Sequence, residues 1–308
     1  VTNFKVEYIK KNPSTFFVKL LKAMEPIFIP DTPRLKDGEK DKKFRFQYYK
    51  NHLWDHFDLG DDRMIRTPIF HNMMEKYLQE HTLQIPDSIN ASLDTLINKS
   101  RKSQELFKYI INWSTHHYES SKIMGQDAVF VHLVFTYFVT GQTPWIDEVQ
   151  MTNIINKAMR ISPNLIGAKA PFISIPDDHG VEQDLHKIEA PFTVLFFYDP
   201  DCGHCKTEAP KVKETVESYA DKGVKVYAVC TEFDEDMWKS FIIEQGTNDW
   251  INVIDLENKS NFRGKYNVMG TPRLYLLDSQ KKIIAKQISS EALAEILENE
   301  FKLIDSNR

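Results

Sequence analysis

The sequence predicts an all-α N-terminal domain followed by an α/β domain whose central mixed sheet is flanked by helices. Three observations predict it. Up to residue 164, apolar side chains recur at helical spacing behind proline-marked starts. Beyond Pro163 and Pro171, short β-branched and aromatic runs alternate with helical segments. Cys202-Gly203-His204-Cys205 stands between one such run and the helix after it. We therefore divide the chain into domains at 1–164 and 165–308.

Asn12-Pro13 reads as the first helix start, with Phe16, Phe17, Leu20 and Leu21 as its apolar positions. A charged loop over 36–43 precedes an aromatic-rich helix expected over 44–57. Further helices are expected at 68–80, 86–97, 103–120, 128–138 and 146–160. The aromatic stripes of this half read as core rather than binding surface. In the second half, strands are expected at 172–175, 193–198, 224–230, 250–254, 273–277 and 283–287. Helices are expected at 206–219, 234–245, 261–266 and 291–301. The long intervals between parallel strands leave room for crossover helices, and a hairpin and a helix close the domain.

Composition narrows the functional classes. With 42% hydrophobic and 27% charged residues, the 308-residue chain has the make-up of a soluble two-domain protein. A net charge of −5 offers no basic field for nucleic acid or an anionic membrane surface. The longest apolar stretch, 128–140, contains His132 and falls short of the roughly 18 to 20 residues a membrane span requires. Three cysteines are too few for a disulfide scaffold, so packed cores must supply the stability. The chain begins at Val1 rather than Met, and we expect a trimmed or processed product, so the N-terminus does not reveal the compartment.

The Cys202–Cys205 spacing carries the chemistry. A strand–CxxC–helix junction leaves the first cysteine at a helix N-terminus, where unpaired N–H groups and the helix dipole favour thiolate over thiol. The thiolate attacks a disulfide; the second cysteine closes the ring and releases the partner. Two other readings of a lone CxxC stand beside this one. Zinc would need two further ligands, and Cys230 stands alone with no second CxxC and no His pair nearby. A purely structural bridge over two residues closes too small a loop to stabilise much. His52 and His56 are four apart but lack the glutamate of a zinc-protease helix, and His116-His117 fares no better. Both pairs read as solvated helix faces.

Pro210 lies inside the helix after the dithiol, and Pro272 immediately precedes a strand. With these residues in place, 167–308 resembles a TlpA/ResA-type thioredoxin domain, the bacterial-envelope branch of that superfamily. The resemblance rests on Gly167-Ala168-Lys169-Ala170-Pro171 and on Phe196-Phe197-Tyr198-Asp199-Pro200-Asp201 leading into the CxxC. It rests also on Pro210 and on Tyr266-Asn267-Val268-Met269-Gly270-Thr271-Pro272. It implies that Cys202 is the nucleophile, that Cys205 resolves, and that the two form a redox-active disulfide. It implies further that Pro272 is cis and faces the dithiol, so that Thr271 and Pro272 hold the partner.

Glu208 follows Cys205 by three residues, one turn along the same helical face. The family implies a proton relay there, which would use a buried carboxylate of raised pKa; the alternative is a solvated helix glutamate. Two positions depart from the family pattern. Phe196 stands where thioredoxin itself has a buried acid, and Asp201 replaces the usual tryptophan before the first cysteine. Asp199 and Asp201 oppose thiolate formation unless they point into solvent. Gly203 and His204 are expected to tune the potential, since Gly-His is the dipeptide of protein disulfide isomerase and an imidazolium beside the helix start stabilises thiolate. Cys230 ends a strand and reads as an inert core residue, with a regulatory pairing as the alternative. Asp199 excludes a peroxiredoxin, which places Thr or Ser three residues before its reactive cysteine.

The helical half resembles the domain of unknown function found upstream of TlpA-like domains in envelope proteins. Its 44–54 helix, Leu59-Gly60-Asp61-Asp62-Arg63 and Ile123-Met124-Gly125-Gln126-Asp127-Ala128 carry that impression. The expectation is a thiol–disulfide oxidoreductase, periplasmic or lipid-anchored to the envelope through a segment outside this chain. Its partners are disulfide substrate proteins and an upstream dithiol electron donor, with no cofactor and no metal. The helical half would select substrates or form a homodimer. The alternative is a non-catalytic scaffold whose thioredoxin domain serves as a docking module.

Overall fold

The computed structural model describes residues 2–306, and these divide into two compact units. The first takes the described residues up to Ser121 together with His132–Ile146; the second takes Lys122–Val131 and those from Asp147 onward.

Six helices build most of the first unit: α1 (Thr2–Lys11), α2 (Phe16–Ala23), α3 (Phe44–His52), α4 (Pro68–Gln79), α5 (Pro86–Lys99) and α6 (Gln104–Glu119). Proline occupies the first turn of α4 and α5, where its missing N–H costs nothing. Ser103 caps α6 by accepting the Leu106 N–H at 3.1 Å. Asn12-Pro13 starts no helix; it lies in the turn after α1, and Thr15 is the N-cap of α2. The helix expected over 44–57 ends at His52, and Leu53, Trp54 and Phe57 leave it in buried turns. Phe44, Phe46, Tyr48 and Tyr49 spread around α3 rather than along one stripe, so α3 itself buries no side chain. The aromatic core is instead Trp54 packed on Phe57, Phe70 and Tyr77 at 5.6, 6.2 and 5.7 Å between centroids. The expected 128–138 helix is α7 (Asp127–Leu133) running into a π-helical turn, Val134–Phe138. Next comes α8 (Glu148–Ile161), which falls in the second unit.

Two sheets organise the second unit. The small one pairs β1 (Ser174–Pro176) antiparallel with β2 (Glu182–Asp184), a strand of three polar residues that hydrophobic periodicity could not reveal. The large one contains β3 (Phe192–Tyr198), β4 (Lys225–Cys230), β5 (Ile251–Ile254), β6 (Arg273–Asp278) and β7 (Ile283–Lys286) in the order β5-β4-β3-β6-β7. β3, β4 and β5 run parallel; β6 and β7 are antiparallel additions, giving the mixed sheet and terminal hairpin expected. The helices between and after them are α9 (Gly203–Glu217), α10 (Glu235–Gln245), the single turn α11 (Phe262–Lys265) and α12 (Ser290–Ser306).

β3 is buried at all seven positions, as a central strand covered on both faces must be. Phe192, Val194, Phe196 and Tyr198 face a core containing Cys205, Ala209 and Val212 of α9 and Leu293, Leu297 and Phe301 of α12. Leu195 and Phe197 face the other way, against Ile173, Ile175, Phe262 and Tyr266. Burying each such side chain is worth roughly 1.5–3 kcal/mol. The C-terminal ends of β3 and β4 and the N-terminal end of β6 therefore share one edge, and the loops that leave it carry Asp199–Cys202, Thr231–Asp234 and Met269–Pro272.

Candidate active site

Asp199-Pro200-Asp201 turns the chain out of β3: the Asp199 carbonyl accepts the Cys202 N–H at 3.1 Å, and its carboxylate accepts the Asp201 N–H at 2.8 Å. Cys202 is thereby the N-cap of α9, with extended backbone angles and its carbonyl accepting the Lys206 N–H. Gly203, His204 and Cys205 form the first turn, and α9 continues past Pro210 to Glu217.

The two sulfurs sit in opposite environments. Cys202 is half-buried, whereas Cys205 is fully buried in the α9 core. Burial pushes the Cys202 thiol up, but the N–H groups of Cys205 and His204, the Cys205 thiol and the Thr271 side chain outweigh it, so the group lies below the ordinary thiol value. No N-cap hydrogen bond of ordinary geometry reaches the sulfur; the N–H dipoles at the helix start face it closely enough to favour its anion. Burial holds the Cys205 thiol up at about 12. The flanking aspartates do not prevent the depression: Asp201 is exposed, and the Asp199 carboxylate is turned onto the Asp201 N–H.

The Thr271-Pro272 peptide is cis, and the Thr271 carbonyl oxygen lies 3.7 Å from the Cys202 sulfur. The residues named from the sequence as nucleophile and partner-holding edge thus meet in space. His204 is exposed at the rim, Gly203 is exposed beside it, and a Cβ at Gly203 would meet no atom within 4 Å.

Glu208 departs from the expectation of a raised carboxyl. Burial pushes it up, but the Ser290 main chain and side chain and the Lys211 ammonium prevail, leaving it below the ordinary glutamate value. Its Oε2 accepts the Ser290 N–H at 3.1 Å, and Lys211 bridges its Oε1 to Glu291 at 3.1 and 2.9 Å. Glu208 therefore ties α9 to the start of α12, a contact 82 residues away in the chain that helical spacing could not reveal.

Cys230 is 1% exposed, its thiol pushed up to about 12 by burial, with Sγ 3.8 Å from the Glu232 carbonyl oxygen. Tyr198 pairs with it across β3 and β4 and stacks on Phe241 at 4.4 Å. Both belong to the apolar core that holds Cys205, a wall the sequence did not single out. His52 bonds Asp55 at 2.5 Å and packs at a tilt on Tyr48, and His117 stacks on Trp113 at 4.6 Å. Among the described residues no helix is long and apolar enough to cross a membrane.

Residues 166–286 match the AhpC/TSA family, and residues 14–164 match a domain of unknown function, DUF5106. Over 139 residues the chain is 27% identical to the thiol-disulfide oxidoreductase ResA of Bacillus thuringiensis (strain Al Hakam), covering 45% of this chain and 78% of that protein. It is 37% identical to a solved domain of a possible thiol-disulfide isomerase from Cytophaga hutchinsonii, covering 46% of this chain and 97% of that one at a TM-score of 0.43. A thioredoxin-like protein from Bacteroides caccae, 18% identical, covers 88% of this chain and 99% of its own at a TM-score of 0.64, a likeness of fold. The chain is thus a thioredoxin-like member of the AhpC/TSA family in its C-terminal half, related to the ResA thiol-disulfide oxidoreductases and carrying a DUF5106 domain upstream.

Proposed function

We propose that this protein exchanges disulfides with other proteins of the bacterial envelope through Cys202 and Cys205. The observation that carries the reading is the contrast between the two thiols: one half-exposed at a helix start and biased to thiolate, the other buried and held protonated. The Cys202 thiolate attacks one sulfur of a partner disulfide, forming a mixed disulfide and expelling the partner's other sulfur as thiolate. That thiolate, of ordinary basicity, takes the Cys205 proton. The Cys205 thiolate then attacks the Cys202 sulfur, closing the Cys202–Cys205 disulfide and releasing the partner's second thiolate, which takes a proton from water. Two electrons have passed to the partner, and a dithiol donor protein restores them by the same steps in reverse.

The Thr271 carbonyl beside the Cys202 sulfur supports a role for Thr271 and Pro272 in aligning the partner's extended backbone. Gly203 and His204 set the potential. The relation to ResA supports an envelope location, and residues 1–164 select the substrate or pair two copies. Glu208 acts as a positioning residue for α9 rather than as a proton relay.

Insulin reduction by the full chain tests the reading. Cys202→Ser should fall to background, and Cys205→Ser should accumulate a mixed disulfide with its partner. Undiminished reduction by Cys202→Ser would overturn the proposal, and a wild-type protein no faster than that variant would favour a docking module.

A further inference from the structure

A second site lies in the first unit, in a cavity of about 190 Å³ between the end of α3, the Trp54 turn and α5, with Tyr77 of α4 as one wall. Its lining includes Lys50, Asn51, Trp54, Thr95 and Lys99, and none of the residues around it is acidic. Neither lysine makes an ion pair among the described residues. Lys50 Nζ donates to Ser92 Oγ at 2.7 Å and lies 5.6 Å from the centre of the Tyr77 ring. Ser92 Oγ is saturated, since it also accepts from Thr82 at 3.0 Å and donates to the Ser88 carbonyl at 2.8 Å. The Lys50 ammonium therefore keeps N–H groups that no protein acceptor meets.

Trp54 forms part of the cavity wall. It is 5% exposed, and its indole Nε1–H, enclosed by protein, has no acceptor. Two lysines and no anionic group line the cavity. We infer that this cavity binds a compact oxyanion, the carboxylate or phosphate group of a small molecule, through Lys50 and Lys99. Its volume is below the range of roughly 300–1,000 Å³ that encloses drug-sized ligands, which limits the guest to one head group. Burial holds the Lys50 ammonium below the ordinary lysine value, a penalty that an anion beside it would offset.

The test uses the full chain labelled with 15N, following the Trp54 indole resonance assigned through Trp54→Phe. Sodium phosphate and sodium acetate are titrated separately at constant ionic strength against sodium chloride. A saturable shift with phosphate or acetate is expected, and which of them saturates at lower concentration identifies the head group. Lys50→Gln should weaken binding by about tenfold or more, the value of one charged hydrogen bond. If Trp54→Phe does not fold, the rise in unfolding midpoint with each anion, compared between wild type and the Lys50→Gln/Lys99→Gln variant, gives the same answer. A response equal to that of chloride, or undiminished in the lysine variants, overturns the site.

Discussion

The carbonyl oxygen of Thr271 lies 3.7 Å from the sulfur of Cys202, although 69 residues separate them in the chain. As a thiol, Cys202 can donate to that oxygen; as a thiolate it needs donors, and it has them in the Thr271 side chain and the N–H groups of His204 and Cys205. Cys202 is therefore expected to titrate below the ordinary thiol value of about 8.5. Peptide-resolved iodoacetamide labelling of the reduced protein against pH measures this directly. Thr271→Val keeps the carbonyl and removes the hydroxyl, so its labelling curve should move upward, each unit being worth about 1.4 kcal/mol. A Cys202 that titrates at or above the ordinary value contradicts the site as drawn.

Glu208 makes the opposite kind of prediction. Its folded-state pKa is depressed, so its contribution to stability is present above the unfolded value near 4.3 and is lost as pH falls through the lower folded value. Glu208→Gln should destabilise the neutral-pH protein by about 1 kcal/mol or less, given its partial exposure. The difference from wild type should vanish at acidic pH. Thiol–disulfide exchange by the variant should keep the wild-type pH–rate profile between pH 6 and 8. A profile altered there would return Glu208 to the proton transfer.

These two residues mark how far the sequence could be read. Cys202 and Cys205 were legible because a strand, a CxxC and a helix are contiguous, and contiguity alone places a sulfur at a helix N-cap. The alternate faces of β3 were legible only as a continuous apolar run, which signals burial on both sides without saying what covers each. The Glu208–Ser290 contact was not legible because the N–H that Glu208 accepts belongs to another helix. The polar strand β2 was missed because register with β1, not side-chain pattern, makes it a strand. In the first unit, 44–57 reads as one helix because nothing in its local sequence marks a stop at His52; Trp54 and Phe57 pack on each other beyond the helix end.

Cys230 should prove chemically silent. It is 1% exposed and its thiol is pushed up to about 12, so native labelling at pH 8 should leave it untouched while Cys202 reacts. Cys230→Ala should retain the full exchange rate and lose about 1 kcal/mol in denaturant unfolding, the ordinary effect of removing a buried group this small. A Cys202–Cys230 or Cys205–Cys230 bridge in the mass map of the oxidised protein would reverse that assignment.

The redox potential is the last quantity the geometry constrains. Whatever stabilises the Cys202 thiolate stabilises the reduced protein and raises the potential, so the helix-start N–H groups and the Thr271 side chain push it upward. Asp199 and Asp201 push it down, weakly, because one carboxylate is turned onto a backbone N–H and the other is exposed. The span from thioredoxin, about −270 mV, to protein disulfide isomerase, about −180 mV, corresponds to roughly 4 kcal/mol. We expect a value inside that span from equilibration with glutathione followed by mass-resolved counting of reduced and oxidised protein. Asp201→Asn should raise it by removing a negative charge beside the thiolate, and His204→Ala should lower it by removing the imidazole beside the helix start. A wild-type value below about −270 mV would mean that the donors around Cys202 do not stabilise its anion, and the assignment of Gly203 and His204 to potential tuning would go with it.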